Sequence, residues 1–399
     1  MNHKTLCLIP LFAFSAIHSA RSQGGSLTPP GAPAPTMKSL DLIEPRTAIN
    51  STNTPGNGAT VFKISAPGSY YLTGNVTGVA GKDGIEIASG GVTIDLNGFS
   101  LIGVASSVYG IRLASTAIAY PNICVRNGVV RGWGQGGIDL FGVSHGIVIE
   151  GILSSDNGNL GIRGHNSAII RNCTAISNDA EGIVVNAGAL IENCVAISNT
   201  GNGFTIGSGA VIRNCSAKSN GAIGIEAFNG ATVLDCHVLS NVQKGISLPQ
   251  GGAVRRCTAQ ANTLAGIDVN ASGHVEGNTC ISNLGDGISV NENALVIGNH
   301  CAGNGAGGYV GSGVHVFGSD NRIEANMLLN NDRGVDVDFT GNLILRNNAA
   351  SNVSGNYEIV AGNRYGPIVD ISIGGGAAVS GNSAASSLTS TDSSANFAH

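Results

Sequence analysis

Three polar side chains toward the C-terminal end have the types and spacing for acid–base chemistry. Asp336 and Asp338 flank Val337, so an extended backbone would project both carboxylates to one side. His315 precedes Asp336 by 21 residues, and Asp286 and Arg333 border the group. Two close carboxylates can bind a divalent cation or split their pKa values, and the imidazole could act as base. The cofactor is left open, with Ca2+ the cation such a pair would take; no dedicated metal-ligand motif accompanies it. A second set, Arg112, Asp139 and Arg163, alternates in charge at spacings of 27 and 24 residues. Trp133 and Tyr120 beside that set, and Tyr309 ahead of His315, offer rings on which a sugar could lie. Arg112 or Arg163 could pair with a sugar carboxylate. Plainer readings account for the same residues: solvated groups on a polar face, and a surface salt-bridge ladder.

The elements that must position these residues follow from a repeat. Asn157, Asn178, Asn199, Asn220, Asn241, Asn262, Asn283 and Asn304 are each 21 residues apart, as are Gly161, Gly182, Gly203, Gly224, Gly245, Gly266 and Gly287. So short a unit cannot bury a core alone and must stack on its neighbours. Within it, short runs of period-2 alternation are punctuated by Asn and Gly, as in A-I-I-R-N-C-T-A-I-S-N at 168–178 followed by G-I-V-V at 182–185. The unit reads as one coil of a parallel β-solenoid, with coils about 4.8 Å apart. Ile183, Phe204, Ile225 and Ile246 after the ladder glycine, with Ile170, Ile191 and Ile212 on the next strand, are its inward positions. The outward position two residues after the ladder glycine gives Glu86, Arg112, Asp139, Arg163, Val184, Thr205, Glu226, Ser247, Asp268, Ser289, His315 and Asp336, so both candidate sets share one face. The many glycines are expected in turns at positive φ, and Asn172, Asn193 and Asn214 suit turns for the same reason.

The G-I-x-V…I-x-N-C-x-A-x-S-N unit resembles the repeat of the right-handed parallel β-helix family, the pectate-lyase-like solenoid shared by pectate lyases, polygalacturonases and many other secreted proteins. The resemblance spans roughly residues 60–375. It implies an all-β, single-stranded right-handed parallel β-helix of about 12–13 coils, mostly 21 residues each, and says little about function, because the family hosts lyases, hydrolases, epimerases, adhesins and non-catalytic proteins. The polygalacturonase signature is missing: the G-H-N at 164–166 lacks a second Gly, and Val337 interrupts the Asp pair. Neither the Y-G-x-D-P-H pattern of mannuronan epimerases nor the R-x-x-R of pectate lyases is found, so no catalytic residue is carried over.

Along the chain, residues 1–22 read as a signal peptide, with Lys4, the apolar run 6–17 and small residues near Ala20 and Ser22. Residues 23–36 are a Pro/Gly-rich linker, 37–61 an N-terminal cap region, 62–375 the β-helix, and 376–399 a Ser/Ala/Thr-rich tail expected to be disordered. Export to the periplasm, cell surface or medium follows. The net charge of −5 argues against nucleic acid, no apolar stretch is long enough to span a membrane, and a monomer is expected. Cys173, Cys194, Cys215, Cys236 and Cys257 recur with the coil at an inward position, and Cys280 and Cys301 shift by two; stacked in register they suit buried free thiols better than disulfides.

Two functions from different classes fit: an exported structural or glycan-binding protein without catalysis, or a polysaccharide lyase, glycoside hydrolase or epimerase working on the outer face. The regular coils leave little loop mass for a deep cleft, and 5% aromatic content supplies few sugar platforms, which favours the first. The inward–outward assignment makes Ile225→Asp costly, by several kcal/mol for a buried charge, and Ser247→Asp cheap, as read by denaturant melts.

Overall fold

The computed structural model describes residues 45–305, 310–370 and 392–398. Each regular coil carries three short strands, as in Ile183–Val185, Leu190–Glu192 and Val195–Ile197. Corresponding strands pair in parallel from coil to coil. The first strand of every coil joins a sheet of 14 strands, one or two coils more than the 12–13 expected, because pairing continues past the point where the sequence period is visible, and the other two form two rows of a sheet of 28. No α-helix occurs among the described residues, and none is long and apolar enough to cross a membrane. The strand Gly355–Ile359 extends the first sheet into the region where the sequence repeat fades.

Burial follows the alternation. Ile183, Phe204, Ile225, Ile246, Ile170, Ile191 and Ile212 are all inside, in one continuous core. Ser247 departs from expectation. It points outward but is only 6% exposed, held between Glu226 and Asp268 of the adjacent coils. An Asp there would place three carboxylates in a row, so Ser247→Asp is not a neutral control.

Buried asparagines tie the coils together. From Asn157 to Asn352 each side-chain amide donates to the Oδ1 of the Asn one coil on, at 2.8–3.1 Å. The same Oδ1 also accepts the backbone N–H of the preceding Asn, at 3.1 Å for Asn178 to Asn199. A second ladder runs through Asn278, Asn299, Asn326 and Asn347. It continues the cysteine column: the Cys194 Sγ accepts the Cys173 N–H, and where the column ends the Asn278 Oδ1 accepts the Cys257 N–H. The eight cysteines among the described residues are free thiols, and burial pushes the Cys280 thiol well above its ordinary pKa. Asn172, Asn193 and Asn214 play the other role and sit in left-handed turns at φ 52–54°.

The ladder glycines are needed for space, not for positive φ. A Cβ on Gly224 would lie 2.6 Å from the Gly245 carbonyl oxygen and 2.7 Å from the Asn241 Nδ2. Trp133 makes a comparable demand. Its ring lies in the core with its N–H donating to the Leu101 carbonyl, against Gly78, Gly84 and Gly110, where any side chain would strike it.

The tail expected to be disordered departs from that expectation at its end. Asn396–Ala398 forms a strand, and Asn396 closes the second amide ladder by accepting from Asn347. One isolated N-F-A has no period to betray it. The tail's residues 376–391 and 399, the signal at 1–22, the linker at 23–36 and the first part of the cap region lie outside the described residues. Of 37–61, Thr47–Ala48 pairs with Tyr70–Tyr71 and Ile49 is buried.

Two substitutions test the ladder steric argument. Gly224→Ala should destabilise by about 1–3 kcal/mol through overpacking. Ala261, held at φ 53° where the equivalent position one coil further on but one is Gly303, should gain about 0.5–1 kcal/mol as Ala261→Gly, because a Cβ is disfavoured there. Urea melts of the two variants should move in opposite directions.

Candidate functional site

The outward row assembles in the predicted register. Arg112 stands beside Asp139, Asp139 beside Arg163, Ser289 beside His315, and His315 beside Asp336. A second position, the residue just before the ladder glycine, completes the face wherever that residue is polar, which leaves out Gly136, Leu160, Ile223 and Ala265. It bonds diagonally to the row residue of the following coil, as in Asp83 with Arg112, Asn202 with Glu226, Lys244 with Asp268, Asp286 with His315, Ser312 with Asp336 and Arg333 with Glu358. Asp286 and Arg333 belong to this position, and its signal in the sequence is a polar residue directly before the ladder glycine.

At the N-terminal end this produces a cleft of about 410 Å³ lined by Tyr109, Arg112, Ser115, Thr116, Asp139, Phe141 and Arg163. The strands Tyr109–Leu113, Gly136–Asp139 and Ile162–Arg163 form its floor. Arg163 grips Asp139 through Nε and Nη2 at 2.7 and 2.6 Å, and that hydrogen bond raises the guanidinium pKa further. Arg112 is paired with Asp83 at 3.3 Å. Each arginine is therefore already neutralised by one carboxylate, though each guanidinium keeps N–H groups beyond those its partner takes.

The aromatic platforms differ from those expected. Trp133 is 0% exposed and Tyr120 is 8% exposed, so neither can present a ring to a sugar: the first fills the solenoid interior and the second packs into the core. Tyr309 lies outside the described residues. Phe141, which the sequence reading passed over, is the exposed ring instead, with Arg163 stacked 4.8 Å from its centre and the His165 ring against its edge. Its signal was present but sparse: Phe141, Phe228 and Phe317 each stand four residues after a ladder glycine.

At the C-terminal end His315, Asp336 and Asp338 offer nitrogen and oxygen atoms all within 4.8 Å of one another. His315 Nδ1 is 3.1 Å from Asp286 Oδ2, and Nε2 is 3.2 Å from Asp338 Oδ2. The hydrogen bond to Asp286, reinforced by Asp338 and opposed by burial, raises the His315 pKa to about 9. A shift in that direction favours the imidazolium at neutral pH, the form that donates a proton. Asp336 is buried, which pushes its carboxyl upward in pKa, while Arg333 and Ser312 bond its Oδ2. A calcium ion would have to displace two cationic neighbours to bind here.

The His315 shift has a pH signature. Its folded pKa lies above the ordinary value of 6.5, so the stabilisation is complete below pH 6.5 and is lost as pH rises through about 9. Thermal melts of the native protein should show this loss between those values. Asp286→Asn should flatten the dependence and lower the pKa read from the His315 ring proton.

The sequence from 67 to 210 and from 188 to 264 matches the model of the right handed beta helix region. No curated protein matches it. Among solved structures it resembles the A-module of the mannuronan C-5 epimerase AlgE6 of Azotobacter vinelandii, at 16% identity and a TM-score of 0.55, covering 73% of this chain and 92% of that one. The A-module of AlgE4 from the same organism aligns at 16% identity and a TM-score of 0.45, over 75% of this chain and 90% of that one. At these identities the likeness concerns the fold alone. The matched repeat, the parallel three-strand coils and the stacked amides make this chain a member of the right-handed parallel β-helix family.

Proposed function

We propose that this is an exported β-helix protein that binds glycan without processing it, using the cleft around Arg112, Asp139 and Arg163. The observation that carries the reading is the cleft's makeup: a polar, open-sided hollow of about 410 Å³ with the exposed ring of Phe141, the half-buried ring of Tyr109, and the hydroxyls of Tyr109, Ser115 and Thr116. Its volume suits a short oligosaccharide segment. The charges are matched internally, Lys63 with Glu86, Arg112 with Asp83 and Arg163 with Asp139. Matched charges give a polyanion no net attraction, so the glycan class favoured is neutral, in contrast to the mannuronan named for the structurally similar epimerase module. Export rests on the signal-like residues 1–22, and the chain works as a monomer.

A second reading is supported by the convergence of His315, Asp336 and Asp338. A cationic imidazole beside a buried carboxyl of raised pKa can supply a proton to a leaving glycosidic oxygen, which would make the C-terminal end of the same face a polysaccharide-processing site.

The two readings separate in one set of measurements. Calorimetric titration with neutral and uronic-acid oligosaccharides should show binding of the neutral class, weakened at least tenfold in Phe141→Ala and unchanged in His315→Ala. A depolymerisation screen on pectate, alginate, glycosaminoglycans and neutral glycans, with and without calcium, should show no turnover. Turnover abolished by both His315→Ala and Asp336→Ala would replace the first reading with the second.

A further inference from the structure

The C-terminal end of the stack contains a slot one strand wide. In the second row Arg364–Tyr365 pairs directly with Leu343–Leu345 of the preceding coil. In the third row the corresponding step is interrupted. Asn396–Ala398 lies between Asn348–Ala350 and Ile368–Asp370 and pairs in parallel with both. A segment from the far end of the chain thus occupies the place of a coil strand.

The slot is shaped for that segment. Asn396 Oδ1 accepts from the Asn347 backbone and amide at 2.9 and 3.2 Å, and its Nδ2 donates to the Ile344 and Gly366 carbonyls at 3.3 and 3.0 Å. The Asn396 N–H reaches the Pro367 carbonyl at 2.7 Å, the Phe397 N–H reaches that of Asn347 at 2.9 Å, and the Tyr357 hydroxyl lies 2.7 Å from the Asn347 carbonyl and 2.9 Å from that of Phe397, with one proton to share between them. Gly366 admits the strand only because it lacks a side chain: a Cβ there would collide with the Ser394 carbonyl. Its φ is not in the left-handed region, so the requirement is for space.

We propose that this slot is a strand-acceptor site whose second occupant is the C-terminal segment of another copy of this chain, so that two molecules can join by strand exchange. The same amide and backbone partners serve a strand arriving from either molecule. The 21 residues from 371 to 391 separate the last solenoid strand from Asp392, a length that can span up to ~70 Å when extended and so reach a neighbour. In the resting molecule the chain's own segment holds the slot at the high effective concentration of a tethered ligand, which keeps it monomeric.

Two full-length variants split donor from acceptor. Gly366→Val blocks the slot and frees the segment; Phe397→Pro removes the N–H bonded to Asn347 and empties the slot. Each alone should sediment as a monomer with native circular dichroism, and an equimolar mixture raised to roughly millimolar, where even a weak contact with a Kd of about 1 mM is half-occupied, should form a one-to-one dimer. A labelled peptide of residues 392–399 should bind Phe397→Pro at least tenfold more tightly than the native protein, and an Asn396→Ala peptide should not. A mixture that stays monomeric overturns the exchange, and equal peptide binding to a Phe397→Pro/Gly366→Val double variant overturns the slot. If Phe397→Pro does not fold, Asn396→Ala replaces it as acceptor. Amide exchange at residues 396–397 in Gly366→Val must also speed at least tenfold; unchanged protection refutes the assigned contact.

Discussion

The structure depends on the side-chain amide of a buried asparagine bonding to its own repeat one coil away. An amide sealed from water is costly unless its donors and acceptor are satisfied, and here each finds partners in the next coil and in the backbone. The bond requires the adjacent backbone to come close, which excludes a Cβ at the ladder glycine. It also fixes the register, because the amide reaches one equivalent and no other. The outward faces inherit their order from this inner column. His315 meets Asp336 above the aligned pair Asn304 and Asn331; in the coil of Asp139 Trp133 takes the asparagine's place, and its backbone N–H donates to the Asn157 Oδ1 in the same register.

That inheritance explains what could be read from the sequence. The 21-residue period, the inward isoleucines and the single polar row were all legible, since each is repeated many times and noise averages out. Features that occur once were not. Trp133 read as a surface ring because an aromatic beside a turn has no periodic partner; its real signature was the scatter of glycines at 78, 84 and 110, which are neighbours only after coiling. Asn396 was hidden for the same reason. The diagonal pairs lay between these cases, being periodic but recorded in a position adjacent to the row that was followed.

On the polar face, opposite charges meet toward both ends of the stack, with uncharged residues such as Val184, Thr205 and Ser289 between them, and their role is first to keep a long flat sheet soluble without a strong net field. Such pairs contribute little individually where they are exposed. What distinguishes the two candidate sites is departure from the pattern. Around Arg163 the departure is Phe141, an exposed ring against which a guanidinium stacks. Around His315 it is a second carboxylate on a ring that already has one, and a histidine so held behaves as a fixed cation over the physiological range.

Asn304 and Asn331 are 27 residues apart, yet their amides meet at 2.8 Å, as they do elsewhere at a spacing of 21. Alignment is therefore kept by the amide and not by the number of residues in the coil. A scaffold of this kind separates two things that most folds couple: the walls stay in place while the edge is free to lengthen. New loops, and with them new specificities, can be acquired at the rim without renegotiating the core.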